Sequence, residues 1–257
     1  MLEIALKVFR YKPGQAPHYD TFRVQVPESA NVLDAIETAW AQHDRSLAFR
    51  HACHHASCGS CAVRLNGVEK LPCITLVRAV WSGHGEVQID PLRNFPIISD
   101  LVVDVGGFFQ RMSASGLVIT RAAEPVLPTT VDADQDGERE QPVQLAEGLD
   151  RFNRFENCIE CGICISACPT MAATDKFFGP AALAGIYRAR LETTDQAEAA
   201  RLLERADGEH GAWRCHSAWE CTEACPQNVN PAEAIMALRR DLFKQRVKRI
   251  FLRETHF

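Results

Sequence analysis

Hydrophobic and polar positions change their period along the chain. Leu2, Ile4, Leu6 and Val8 alternate with Glu3, Ala5 and Lys7, and Phe22, Val24 and Val26 alternate with Arg23 and Gln25. A period of two is that of half-buried strands. After Pro27-Glu28-Ser29 the spacing of Leu33, Ile36 and Trp40 predicts a helix. Val63 and Leu65 lead into Asn66-Gly67, a strong hairpin signal that folds the chain back toward Cys73, and Val87 with Ile89 predicts a last short strand. These elements make an α+β unit. From Phe95 onward the pattern reads as helical, with segments at 180–191, 196–205 and 231–253, the first opened by Gly179-Pro180. Residues 122–150, rich in Pro and acidic side chains, lack a sustained apolar period and read as a surface connection or arm.

Composition narrows the class. A chain of 257 residues with 46% hydrophobic and 24% charged residues suits two small globular domains and excludes disorder or a collagen-like repeat. The apolar stretch at 95–105 is broken by Asp and Pro well short of the roughly 20 residues a membrane span requires. The start, MLEIALKVFRYK, has neither a signal-peptide core nor a twin arginine, so the chain is expected to stay in the cytoplasm. A net charge of -5 argues against nucleic acid as a main partner. Residues 238–257 nevertheless carry seven basic side chains against Asp241 and Glu254.

The eleven cysteines do not fit an ordinary enzyme. An odd number in a reducing compartment points to metal ligation rather than disulfides. Cys53, Cys58, Cys61 and Cys73 are spaced C-x4-C-x2-C-x11-C, the plant-type arrangement for a [2Fe-2S] cluster. Three thiolates on one loop and a fourth on the returning hairpin can wrap both irons. Zinc knuckles, the alternative, usually use C-x2-C pairs, and His54 and His55 read as solvated loop residues. Cys158, Cys161, Cys164 and Cys168 form C-x2-C-x2-C-x3-C-P, in which the fourth cysteine serves the other cluster of a pair. The partner run is Cys215, Cys221 and Cys225 before Pro226, with Ala218 where Cys161 stands in the first. The ligand swap gives Cys158, Cys161, Cys164 and Cys225 a [4Fe-4S] cluster. It leaves Cys168, Cys215 and Cys221 with three thiolates, the set expected of a [3Fe-4S] cluster. All eleven are then used.

With these motifs in place, the sequence resembles the iron–sulfur subunits of succinate dehydrogenases and quinol:fumarate reductases. The resemblance covers nearly the whole chain and rests on CHHASCGSC, FPIISDLVVDV, CIECGICISACP, FFGPAALA and CHSAWECTEACPQNVNP, in the family's order. It implies a β-grasp, plant-type ferredoxin domain at 1–106 and a mainly α-helical, bacterial-ferredoxin-like domain at 107–257. It also implies an electron path between a partner flavoprotein carrying FAD and quinone at a transmembrane anchor, with or without haem, at the cytoplasmic face of the membrane. Succinate oxidation and fumarate reduction use this path in opposite directions. By position, Pro169, His216 and Arg239 fall at the family's quinone pocket. The tryptophan that ubiquinone-linked members carry after the CP motif is absent, and Thr170-Met171-Ala172-Ala173 stands there, which points to menaquinone. Many members also have Arg and Gly where this chain has His54 and Ala56. Subunits of the glycolate oxidase or heterodisulfide reductase type keep both runs complete and lack the plant-type motif. A free ferredoxin-like carrier would have little use for the helical extension.

Overall fold

The computed structural model describes residues 1–116 and 155–253; the expected connection at 122–150 lies outside them. Strands β1 (Leu2–Arg10) and β2 (His18–Val26) pair antiparallel, from Leu2 opposite Val26 to Arg10 opposite His18. Helix α1 (Val32–Gln42) begins with a capping box: the Asn31 side chain accepts from the Asp34 N–H and the Asp34 carboxylate from the Asn31 N–H, each at 3.0 Å. Strands β3 (Val63–Leu65) and β4 (Val68–Lys70) are joined by Asn66 and Gly67 at φ 50° and 85°. Two positive φ values give the turn whose twist matches a hairpin, which is why the Asn-Gly pair predicts it. After a single helical turn, α2 (Val77–Val80), strand β5 (Glu86–Asp90) runs parallel to β1 and antiparallel to β3. The five strands are ordered β2-β1-β5-β3-β4. Ile4, Leu6, Val8, Val24, Val87 and Ile89 bury one face of the sheet in a core that also holds Val32, Ala35, Ile36 and Ala39 of α1.

The chain does not turn helical at Phe95. Strands β6 (Ile97–Ser99) and β7 (Val102–Val103) come first, joined through Asp100 at φ 46°. The Asp100 carboxylate, fully buried, accepts from the Tyr11 and Ala48 N–H groups at 2.9 and 2.8 Å, from Lys12 Nζ at 2.8 Å and from Arg10 Nε at 3.3 Å. Four donors from the first ninety residues hold this short hairpin, an interaction that local periodicity does not report.

Helices α3 (Gly106–Ala114), α4 (Ile163–Ala167) and α5 (Pro169–Ala173) follow, then α6 (Pro180–Glu192) and α7 (Gln196–Asp207). A 3-10 turn (Ala212–Arg214), α8 (Glu220–Glu223) and α9 (Pro231–Arg253) complete the described chain. The three segments expected to be helical are α6, α7 and α9. One core unites Leu71, Leu92 and Phe95 with Ile163, Leu183 and Ile235, so the sheet and the helices share an interior. At their seam the Asn94 amide nitrogen donates to the carbonyls of Ile165, Ser166 and Cys168 at 2.8, 3.1 and 3.2 Å. Buried Glu69 accepts from Ser166 Oγ and Arg93 Nη2, both at 2.9 Å. None of the described helices is long and apolar enough to cross a membrane.

Candidate metal centres

The loop from Cys53 to Cys61 is bent by left-handed residues: His54 and Ala56 at φ 59° and Gly59 at φ 66°. Such turns aim successive N–H groups inward. The Ser57 and Cys58 N–H groups each lie 3.3 Å from Cys53 Sγ, and Cys58 Sγ is 3.1 Å from Ser60 Oγ. Backbone hydrogen bonds from His55 and Cys58 lower the Cys53 thiol to about 7. Cys61 is buried, which pushes its thiol up to about 12, and it interacts with Cys73, delivered by the β3–β4 hairpin, and with Cys58.

Cys158, Cys161, Cys164 and Cys225 line one small cavity of about 30 Å³. Burial, with repulsion from Cys158 and Cys225, pushes Cys161 up to about 12. Burial likewise puts Cys164 well above its ordinary value. Cys168, Cys215 and Cys221 line a second cavity, of about 10 Å³, with Ala218 on its wall. Cys221 is raised to about 12 by burial and by repulsion from Cys168 and Cys215. The Ser217 N–H donates to Cys215 Sγ at 3.3 Å and the Val229 N–H to Cys225 Sγ at 3.4 Å. Groups of converging, buried thiols are poor hosts for bare thiolates. Iron reverses both penalties, since its positive charge holds the thiolate form, and the backbone donors match the sulfurs that need them. The donor sets fit iron–sulfur groups.

The three cysteine groups follow one another in space. A Cβ at Gly59 would stand 2.5 Å from Cys161 Cβ, so the first loop lies directly against the second group. Gln227 Nε2, two residues after Cys225, donates to the Ala56 carbonyl at 2.8 Å. Cys164 in turn feels the charge of Cys221 in the third group.

Pro169 and His216 border the third group's cavity; Arg239 does not line it. Arg239 donates through Nε to the Ala212 carbonyl at 3.0 Å, through Nη1 to Ser217 Oγ at 3.0 Å, and to the carbonyls of Trp213 and Cys215. Its guanidinium thereby fixes the backbone that carries Cys215. Sequence reasoning missed Gln227 and Asn94, whose contacts are long-range. His54 is exposed, as expected of a solvated loop residue, and also meets His51 and Glu37, a grouping that the His-x-x-His spacing could have suggested. On α9, Leu238 and Leu242 are core residues, whereas Phe243 and Ile250 are exposed.

Comparison with known proteins agrees with this geometry. A domain family described as "2Fe-2S iron-sulfur cluster binding domain" matches residues 5–110, and one described as "4Fe-4S dicluster domain" matches residues 154–229. The chain is 35% identical over 232 residues to the fumarate reductase iron-sulfur subunit of Haemophilus influenzae, covering 90% of this chain and 89% of that one. It is 38% identical over 240 residues to the corresponding subunit of Mycobacterium tuberculosis, covering 91% of each. It is also 31% identical to the mitochondrial succinate dehydrogenase [ubiquinone] iron-sulfur subunit 2 of Oryza sativa, over 91% of this chain and 73% of that one. A chain of the Mycobacterium smegmatis Sdh1 complex in the apo form superposes with a TM-score of 0.76 at 25% identity, covering 95% and 97% of the two chains.

Proposed function

Since the chain belongs to the iron–sulfur subunits of succinate dehydrogenases and fumarate reductases and is an electron-transfer subunit of that kind of oxidoreductase, we propose that it conducts single electrons between FAD on a partner flavoprotein and menaquinone at a transmembrane anchor. In this reading residues 1–106 are a β-grasp domain that holds [2Fe-2S] through Cys53, Cys58, Cys61 and Cys73. Residues 107–257 hold [4Fe-4S] through Cys158, Cys161, Cys164 and Cys225, and [3Fe-4S] through Cys168, Cys215 and Cys221. When bound, these groups supply one-electron donors and acceptors, chemistry that no side chain here provides.

The chain's own residues set the path. The Ser57, Cys58, Ser217 and Val229 N–H groups stabilise ligand sulfurs, and Gly59 and Gln227 hold the first loop against the second group. Pro169 and His216 border the third group's cavity, the end at which the reading puts quinone, and Arg239 acts as a positioning residue for the Cys215 loop. The basic, partly apolar end of α9 suits a peripheral position at the cytoplasmic membrane face, where anionic headgroups attract Lys and Arg.

The observation that carries this reading is the contiguity of the three cysteine groups, from Gly59 against Cys161 to Cys164 near Cys221. Two quoted relatives are fumarate reductase subunits and one is a succinate dehydrogenase subunit, which supports the reverse direction, fumarate reduction, as a second reading on the same path.

Electron paramagnetic resonance of the purified complex tests the assignment. The oxidised complex should give a near-isotropic three-iron signal, and reduction should bring up a two-iron signal. Ala218→Cys should convert the three-iron site toward four irons and remove the oxidised signal. An oxidised sample silent in the three-iron region, or an Ala218→Cys signal unchanged from wild type, overturns the three-thiolate set.

A further inference from the structure

A second, smaller group of metal-binding side chains stands beside the first cysteine loop and belongs to none of the three cysteine sets. His51 and His54 flank Cys53, and Glu37 comes from α1. Their ligating atoms converge: His51 Nδ1 lies 3.2 Å from His54 Nε2, His51 Nδ1 3.2 Å from Glu37 Oε1, and His54 Nε2 3.5 Å from Glu37 Oε1. Atoms bound tetrahedrally at about 2.0–2.1 Å to one ion stand about 3.3–3.4 Å apart. The triangle therefore already has the edges of a coordination shell.

Two further features separate it from a chance meeting of polar side chains. Glu37 Oε1 is shielded from solvent yet receives no hydrogen bond, although a ring nitrogen sits 3.2 Å away. A buried acceptor left in this state is costly unless something else pairs with it. The rings are also oriented in advance. His51 stacks on Phe49 with centroids 5.1 Å apart and planes at 19°, and a left-handed residue conformation, φ 59°, turns His54 into the group.

We propose that Glu37, His51 and His54 form a binding site for a borderline divalent cation of the zinc class, with three protein ligands and one open coordination position. Two imidazoles and one carboxylate suit such an ion and disfavour magnesium and calcium, which take oxygen ligands. The open position faces a cleft of about 550 Å³ that Trp40 and Leu47 also line, where water or another small ligand completes the shell.

The test uses the full-length, iron-loaded chain dialysed against micromolar Zn²⁺. Wild type should retain about one zinc per chain in a shell of nitrogen and oxygen by X-ray absorption, with its iron and sulfide content unchanged. Glu37→Gln and His51→Asn should each weaken zinc binding at least about tenfold, since even outer partners of a metal ligand are worth that much. Because Glu37 lies on α1, outside the cysteine loop, its variant decides the matter if substitution at His51 costs iron. No zinc retained by wild type, sulfur in the zinc shell, or wild-type affinity in Glu37→Gln would overturn the site.

Discussion

The first cysteine set divides its thiols between surface and interior, whereas none of the cysteines in the two helical groups is exposed. In the loop, Cys53 and Cys58 stay near the surface, and peptide N–H groups lower the Cys53 thiol to about 7. Among the helices, burial and mutual repulsion drive Cys161 and Cys221 up to about 12. The sheet and α1 have a core of their own that contains no cysteine. The helical groups are themselves part of an interior, since Cys168 is buried in the shared core and Cys158, Cys161, Cys164, Cys215 and Cys225 pack against it. Cys61 and Cys73 of the first set are buried in that shared core too, with Cys61 driven up to about 12, so it is Cys53 and Cys58 that stand apart from it. The helical half supplies seven of the eleven cysteines, so iron bound to them would add its binding energy to that half.

Removing iron should produce the largest divergence. Anaerobic chelation is expected to melt α4, α5 and α8 while β1, β2, β5 and α1 keep their slow-exchanging amides, as hydrogen exchange can show. Equal loss of protection in both halves would abolish the contrast. Asp100→Ala attacks from the other side. It strips a buried acceptor from Arg10, Lys12 and two N–H groups, at a cost of about 3–5 kcal/mol, and denaturant unfolding should register it in the sheet half first.

Acid should act on the same network more gently. Asp100 and Asp44 both have lowered values in the folded chain, Asp44 from 3.8 to about 2 through hydrogen bonds from Ser46 and Arg10, and Asp100 through donors led by Lys12 that outweigh its burial. A carboxylate whose folded value is depressed stabilises the fold above its unfolded value and loses that contribution as pH falls through the folded one. Stability of the sheet half should therefore decline between about pH 4 and 2, and the decline should disappear in Asp100→Asn,Asp44→Asn. The smallest effect belongs to Ala56→Gly. Relieving a left-handed alanine at φ 59° should raise the denaturation midpoint by no more than about 1 kcal/mol equivalent, with iron content unchanged.

Much of this contrast was legible in the chain because its causes are local. Alternation marks β1, β2 and β5, Asn66-Gly67 marks the hairpin, and Gly179-Pro180 marks the start of α6. Spacing also associated Cys225 with the first helical run and Cys168 with the second, and each lines the corresponding cavity; iron analysis is the measurement that decides ligation. What escaped depends on partners far along the chain. The β6–β7 hairpin is held by donors from 52 to 90 residues earlier, the seam by Asn94 and Glu69 reaching Ser166, and Arg239 by carbonyls more than twenty residues before it. Periodicity has no access to such pairs, and a resemblance assigns a position without saying where its guanidinium points.

Gly59 sets the closeness of the two halves. Its missing side chain lets a loop of one half touch a cysteine of the other, where a single methyl group would already stand 2.5 Å from Cys161 Cβ. Electron exchange weakens steeply as donor and acceptor move apart. Along the proposed path, the thickness of this junction is set at one position by the absence of an atom, and a larger residue there would act as added resistance in series.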